Sequence, residues 1–246
     1  GRLSLKGVVP LSVKFDTVGP LTRSVEDAAE LYAMMDGSMA PDLRGATLKG
    51  RKFAIVRTTL MDNLRDAPKA AFESAVQRMQ AVGAVIEYID VPAVQDSLDL
   101  SAILMTSQAY GQWKDVIEEN PDEMYPEILK RFRLGADHSA ADYVAAVNKL
   151  ENVRAAYNAA TAGYDAVVAP TSAIMPPNLD RLNAEEDYYV TENLLSLRNT
   201  RVGNLLGLCG LTLPTGVPSC GIMFMCGPDL EEKLLRIGAA AEVALQ

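Results

Sequence analysis

Between Lys52 and Val91 the sequence carries a strand, a helix and a second strand, and this one unit narrows the architecture more than any other stretch. K-F-A-I-V-R at Lys52–Arg57 is a short run rich in β-formers, and A-V-I-E-Y-I-D-V at Ala84–Val91 is another. Between them, Asp66-Ala67-Pro68 opens a helix with proline in its first turn, where a missing N–H breaks no intrahelical bond. Phe72, Ala75, Val76, Met79 and Val82 recur along one helical face, and Gly83 ends it. Two strands joined by a single helix are expected to lie parallel with a right-handed crossover. Parallel strands need cover on both faces, so the unit commits the chain to an α/β architecture.

The flanking segments fit that architecture. Gly1–Pro20, punctuated by Gly7, Pro10, Gly19 and Pro20, reads as irregular chain laid over a core, with one short strand. Ser24, with Asp27 three residues on, caps a helix that Gly37 stops. Ala93–Ala162 is almost entirely helical in pattern, broken near Asn120-Pro121, Pro126 and Gly135, and Ser139 with Asp142 caps its last long helix. Asp165–Ala169 is a buried strand closed by Pro170, and Met175-Pro176-Pro177 is a loop. A helix over Val190–Leu206, strands at Leu211–Leu213 and Ile222–Met225, and a terminal helix opened by Asp229 with Glu232 complete the chain. The expected fold is α/β, a mixed, largely parallel sheet flanked by helices. With no linker in view, residues 1–246 are expected to form a single domain.

Charge and composition narrow the partners. The net charge is −9, and the densest basic cluster, Lys130, Arg131 and Arg133, reads as a solvated helix face, so no nucleic acid is expected to bind directly. No apolar run approaches the roughly eighteen residues of a membrane span, so no membrane partner is expected. Cys209, Cys220 and Cys226 are too few for a disulfide framework and lack paired zinc spacing, so they read as reduced, packed thiols in a cytoplasmic protein. No signal peptide is visible, but Gly1-Arg2-Leu3 is no natural start, and a truncated or processed chain is expected.

No complete catalytic set emerges from the residues. The one histidine, His138, lies in a polar connection beside Asp137 and Ser139 and reads as an exposed turn residue; a single histidine also removes every two-histidine zinc motif. The acidic pairs Glu118-Glu119 and Glu185-Glu186 read as solvated carboxylates. A lysine base needs burial to bring its pKa toward neutrality, and nothing beside Lys6 or Lys14 supplies the glycine- and serine-rich loop such a base would serve. No catalytic residue, metal ligand or cofactor is therefore assigned.

Four segments in order nevertheless resemble the amidase-signature family. G-R-L-S-L-K-G-V-V-P-L-S-V-K-F-D-T-V-G-P-L-T-R-S-V-E-D-A-A at Gly1–Ala29 is similar to the stretch that follows that family's catalytic core. Y-D-A-V-V-A-P-T at Tyr164–Thr171 is similar to its strand ending in Pro-Thr at the pocket. L-R-N-T-R-V-G-N-L-L-G-L-C-G-L-T-L-P-T-G at Leu197–Gly216 resembles its Asn-Leu-Leu-Gly segment, and G-I-M-F-M with E-E-K-L-L-R-I resembles its closing strand and helix. The match is weakest over Ala93–Ala162.

The resemblance implies amide hydrolysis by a Ser-Ser-Lys mechanism: one serine attacks the carbonyl, and a second, in a cis peptide, bridges it to a lysine base. Backbone N–H groups hold the oxyanion. All three residues are expected on the amino-terminal side of Gly1, so the chain alone is expected to be inactive, and Ser4 and Lys6 are not promoted into these roles. What remains is expected to furnish a pocket wall for a small-molecule amide. Thr171 sits just past a strand end, Asp16 and Thr17 follow the segment of the nucleophile, and Arg198 and Asn199 lie in the polar R-N-T-R cluster. Asp16 also reads as a turn cap, and Arg198 and Arg201 as ion-pair or helix-end residues; the other reading of Arg198 is a guanidinium facing a carboxylate. Two alternatives stand: the amidase component of a tRNA-dependent amidotransferase, and a non-catalytic α/β ligand-binding or interaction module. Apolar surface left by a divided sheet is expected to drive self-association or a homodimer.

Overall fold

The computed structural model describes residues 1–246. In chain order the elements are α1 Val25–Asp36, β1 Lys52–Val56, α2 Asp66–Ala81, β2 Val85–Ile89, α3 Ala93–Asp99, α4 Ser101–Glu119, α5 Pro126–Arg133, α6 Ala140–Thr161, β3 Ala166–Pro170, α7 Leu179–Ala184, α8 Glu186–Leu206, β4 Cys209–Pro214, β5 Gly221–Cys226 and α9 Glu231–Ala244. The five strands form one sheet in the order β2-β1-β3-β5-β4. β1 pairs parallel with both β2 and β3, whereas β5 pairs antiparallel with β3 and with β4. The sheet is thus mixed, with parallel and antiparallel pairings in equal number. The physical reason is chain length: α2 lies between β1 and β2, but only the loop Thr215–Cys220 joins β4 to β5, too short for anything except a hairpin.

Side-chain alternation sorts the helices into two layers. Phe53 and Ile55 of β1, Val168 of β3 and Ile222 and Phe224 of β5 face one side, where α1, α2 and α9 cover them with Val25, Phe72, Met79, Leu234 and Ile237. Ala54 and Val56, Val167 and Ala169, and Met223 and Met225 face the other, beneath Val94, Leu104, Leu150, Val153, Val202 and Leu205 of α3, α4, α6 and α8. Phe53 and Phe224 meet edge-on with ring centres 6.0 Å apart. Each such fully buried side chain contributes about 1.5–3 kcal/mol. On the α8 side the covering stops before β4, whose Gly210, Thr212 and Pro214 remain exposed.

The caps at Ser24 and Ser139 form as expected, their hydroxyls accepting from Asp27 N and Asp142 N, and Gly37 ends α1 at φ +71°. Three expectations are corrected. Gly1–Pro20 holds no strand, because its backbone is spent on turns: Val8 N donates to Leu5 O, and Phe15 N and Asp16 N both donate to Ser12 O. Asp229 does not cap the last helix; it lies at φ +59°, outside the extended conformation an N-cap uses, and α9 begins after Leu230 with no side-chain cap. Finally, the acidic stretch before Val190 is helical: Asn178 caps α7 by accepting from Arg181 N, and α8 starts at Glu186.

Candidate functional site

Because β1 and β3 run parallel, the chain leaves both at the same edge of the sheet. The loop after β1 is strained there: Thr59, a β-branched residue, sits at φ +54°, and Asn63 at φ +52°. Such conformations cost about 1–3 kcal/mol each and persist only where surrounding contacts impose them. The contacts here are specific. Thr59 N donates to Asp62 Oδ2 at 2.8 Å, Arg198 Nη1 donates to Asp62 O at 2.6 Å, and Arg198 Nη2 donates to Leu60 O at 3.2 Å. Asn199, with no exposed surface, donates through Nδ2 to Leu60 O at 3.0 Å and to Pro170 O at 2.7 Å. Its Oδ1 accepts from Arg198 Nε at 3.0 Å. Arg198 and Asn199 thereby fasten the loop after β1 to the last residue of β3. Burial pulls the Arg198 guanidinium below its ordinary pKa, and the nearby Asp62 opposes that pull.

Thr171 follows β3 directly. Its N–H donates to Gly221 O at 2.9 Å, and its hydroxyl lies 3.3 Å from that of Thr212 on the uncovered side of β4. Gly221 makes this approach sterically feasible, since a Cβ there would stand 2.7 Å from Thr171 Oγ1 and 2.9 Å from Thr212 Cγ2.

Asp16 and Thr17 lie apart from these residues, in the irregular opening segment. Asp16 accepts from Leu11 N at 2.9 Å and Ser12 N at 3.0 Å, closing a turn, while Thr17 is exposed. The segment is strapped down by distant side chains. Asn204 Nδ2 donates to Phe15 O at 2.7 Å, Trp113 Nε1 donates to Pro10 O at 2.6 Å, and Gln108 Oε1 accepts from Ser12 Oγ and Lys14 N at 3.0 Å each. Thr171, Arg198 and Asn199 therefore come together at the sheet edge. Phe15, the residue before Asp16 and Thr17, is tied to the same helix at Asn204, about 7.5 Å down its axis from Asn199 at five residues of 1.5 Å rise.

Two further features of this helix depart from what its sequence suggests. Arg201, expected in an ion pair or at a helix end, is half-buried within α8 and makes no hydrogen bond or ion pair; burial together with neighbouring Arg131 lowers its pKa. Asn204 Oδ1 is buried without a donor. The available signal was the i, i+3 spacing of R-N-T-R, which sets Arg198 and Arg201 side by side on a helix. It does not say which of the two the fold consumes.

Groups set aside as catalysts occupy unremarkable positions. Ser4 and Lys6 are exposed, and Lys14 is an exposed residue 3.6 Å from Glu151. Glu118 pairs with Arg133 and Glu186 with Lys130. The cysteines are free, and burial pushes the Cys209 thiol up to about 11 and that of Cys226 to about 12, which makes them poor nucleophiles.

Comparison with known proteins places these features in a wider setting. The family model described as Amidase matches residues 1–235. The chain is 28% identical over 255 residues to 2-amino-5-chloromuconic acid deaminase of Comamonas testosteroni, covering 100% of this chain and 54% of that protein. It is 27% identical over 278 residues to a glutamyl-tRNA(Gln) amidotransferase subunit of Staphylococcus aureus, covering 96% of this chain and 56% of that one. A crystal structure of an amidase superimposes with a TM-score of 0.86 at 24% identity, across 100% of this chain and 57% of the other, a likeness of fold. The chain thus spans about half the length of the curated relatives it matches.

Proposed function

The chain belongs to the amidase family, and from that premise we propose that the protein hydrolyses the C–N bond of a small amide, releasing ammonia or an amine. The observation that carries this reading is the family match over residues 1–235, joined to a strand edge where Thr171 presents a hydroxyl beside a loop held by Arg198 and Asn199. Relatives named as a deaminase and an amidase favour an enzyme over a non-catalytic binding module.

The proposed chemistry is the Ser-Ser-Lys mechanism. A serine hydroxyl attacks the amide carbonyl as its proton passes through the second serine to the lysine. The tetrahedral oxyanion is held by backbone N–H groups, the amine leaves with a proton returned from the lysine, and water repeats the sequence on the acyl-enzyme. We place those three residues outside residues 1–246. Supporting this, the chain matches 54–56% of its relatives' length, and its own Ser4 and Lys6 are exposed.

In this reading residues 1–246 act as one domain that supplies the far wall of the pocket. Thr171 would face the substrate, Arg198 and Asn199 hold the loop after β1 in its strained form, and Asp16 and Thr17 would pack beneath the segment of the nucleophile. Cytoplasmic location belongs to the same proposal; no helix is long and apolar enough to cross a membrane. The likeness to a glutamyl-tRNA(Gln) amidotransferase subunit favours a second reading, in which the chain belongs to the amidase subunit of a tRNA-dependent amidotransferase that works with partner subunits.

The test is ammonia release from a panel of primary amides, comparing the product of the full open reading frame with the 246-residue chain. The full product is expected to turn over and the chain alone to show none. Turnover by the chain alone that survives combined Ser4→Ala and Lys6→Ala substitution overturns the placement of the catalytic residues, and inactivity of the full product on every amide overturns the function. Copurifying partner proteins would decide for the second reading.

A further inference from the structure

Two of the three cysteines face each other across the sheet. Cys209 opens β4 and Cys226 ends β5, and the antiparallel register sets them directly opposite. Opposed residues in such a pair project from the same face. Here it is the face covered by α1, α2 and α9, with Cys226 in the core and Cys209 packed against it. At the other end of the hairpin Thr215 N donates to Cys220 O at 3.1 Å, which makes those two a hydrogen-bonded pair. Bonded and non-bonded pairs alternate along an antiparallel ladder, so Leu213–Ile222, Leu211–Phe224 and Cys209–Cys226 are bonded pairs as well. The Cα atoms of a bonded pair stand about 5.5 Å apart, inside the range of about 4.4–6.8 Å that a disulfide spans.

The adjustment that remains falls where the backbone can yield. Cβ atoms of opposed residues are up to about 5.5 Å apart and a disulfide holds them at about 3.8 Å, so closure draws this end of the two strands together. β4 is the outermost strand, with no strand beyond it to be pulled away from. Gly210 follows Cys209 and Gly227 follows Cys226, and glycine gives a strand its easiest local bend. The Cys209 thiol already leans toward β5, donating to Gly227 O at 3.1 Å. The Cys226 thiol donates to Asp165 O at 3.3 Å, on the β3 side. One rotamer step about its Cα–Cβ bond turns that sulfur from β3 to β4.

We propose that Cys209 and Cys226 form a disulfide site, closed by a small-molecule disulfide oxidant, that staples the edge strand β4 to β5. Half-buried Cys209 is the sulfur an oxidant reaches, since Cys226 is only 3% exposed. The Cys209 thiolate attacks one sulfur of glutathione disulfide, forming a mixed disulfide and releasing a glutathione thiolate, which takes up the proton Cys209 gave. The Cys226 thiolate then attacks the Cys209 sulfur, the mixed bond breaks, and a second glutathione leaves with the other proton. Two protein thiols are oxidised and one glutathione disulfide is reduced to two thiols. Burial raises both protein thiols and so slows the exchange; it also denies the reduced pair the stabilisation of a thiolate, which favours the closed form. Cys220 takes no part, because it lies six residues before Cys226 along β5, about 20 Å at strand rise. In a reducing compartment the pair stays open, so the staple responds to oxidising conditions. None of this depends on the amidase reading.

Alkylation mapping tests it. The full open reading frame product is incubated with excess glutathione disulfide, unfolded, alkylated and cut with trypsin. Cys209, Cys220 and Cys226 all fall in the single tryptic peptide Val202–Lys233, so cysteines elsewhere do not blur the result. The expected product is that peptide alkylated once, at Cys220, with the other two sulfurs joined; dithiothreitol before alkylation restores three alkyl groups. The melting temperature is expected to rise by about 5–10 °C on closure and to fall back on reduction. Cys220→Ser is expected to keep that rise, and Cys209→Ser, a change at a half-buried position, to lose it. Three alkyl groups after oxidation overturn the proposal. So do glutathione retained on Cys209 beside an alkylated Cys226, a bond that includes Cys220, and two peptides joined between chains.

Discussion

Asn199 shows how a residue can look like a ligand contact and serve the scaffold instead. Its amide bridges two carbonyls, Leu60 O and Pro170 O, that lie 139 and 29 residues away in the chain. Removing a partner from a buried hydrogen bond costs more than the bond's net worth, because the group left behind stays desolvated. Asn199→Ala is therefore expected to destabilise the chain by about 2–4 kcal/mol, read as a lower urea midpoint at constant slope. Thr200→Ala, one residue on at an exposed position, is expected to change stability by less than about 0.5 kcal/mol. Equal effects at the two positions would show that the latch contributes nothing. The polar character of R-N-T-R was legible in the sequence; which member is consumed by backbone carbonyls was not, since those carbonyls belong to a loop and a strand far off in the chain.

At the scale of elements, close approach of helices depends on a few positions without side chains. Gly135 lies in the 3-10 turn Leu134–Asp137, where a Cβ would stand 2.1 Å from Thr106 O and 2.6 Å from Tyr110 Cβ of α4. Gly111, on the same helix, has nothing within 4 Å of such an atom. Gly135→Ala must push the turn off α4, an overpacking expected to cost about 1–3 kcal/mol. At about 2–4 °C per kcal/mol for a chain of this size, calorimetry should show the melting temperature fall. Gly111→Ala replaces a mid-helix glycine in open space and is expected to raise it, by up to about 1 kcal/mol of stability. If both variants melt alike, the contact is not a constraint. From sequence Gly135 read only as a break in a helical pattern, because a missing side chain reveals its purpose only when the partner surface is in place.

The whole molecule leaves apolar groups in water that a closed globule of this size would cover. Met34 is 76% exposed and Met39 92%, with Leu31 and Met35 beside them on the outer side of α1, and Val9 and Val13 are 75% and 65% exposed in the opening segment. The chain is expected to self-associate, seen as a sedimentation coefficient that rises with concentration and as binding of a hydrophobic dye. A monodisperse, cooperatively melting monomer that binds no dye would refute that expectation. Local rules in the sequence determined the helix over Val25–Asp36 and its cap, the parallel β1-α2-β2 unit and the buried strand ending at Pro170. Each of these depends on neighbours a few residues apart or on one short connection. Only the tertiary structure decided that β3 lies between β1 and β5, that half the pairings are antiparallel, and that Arg201 rather than Arg198 keeps a free guanidinium. Those outcomes turn on which distant groups compete for the same donors and the same strand edges, and that competition exists only once the chain has folded.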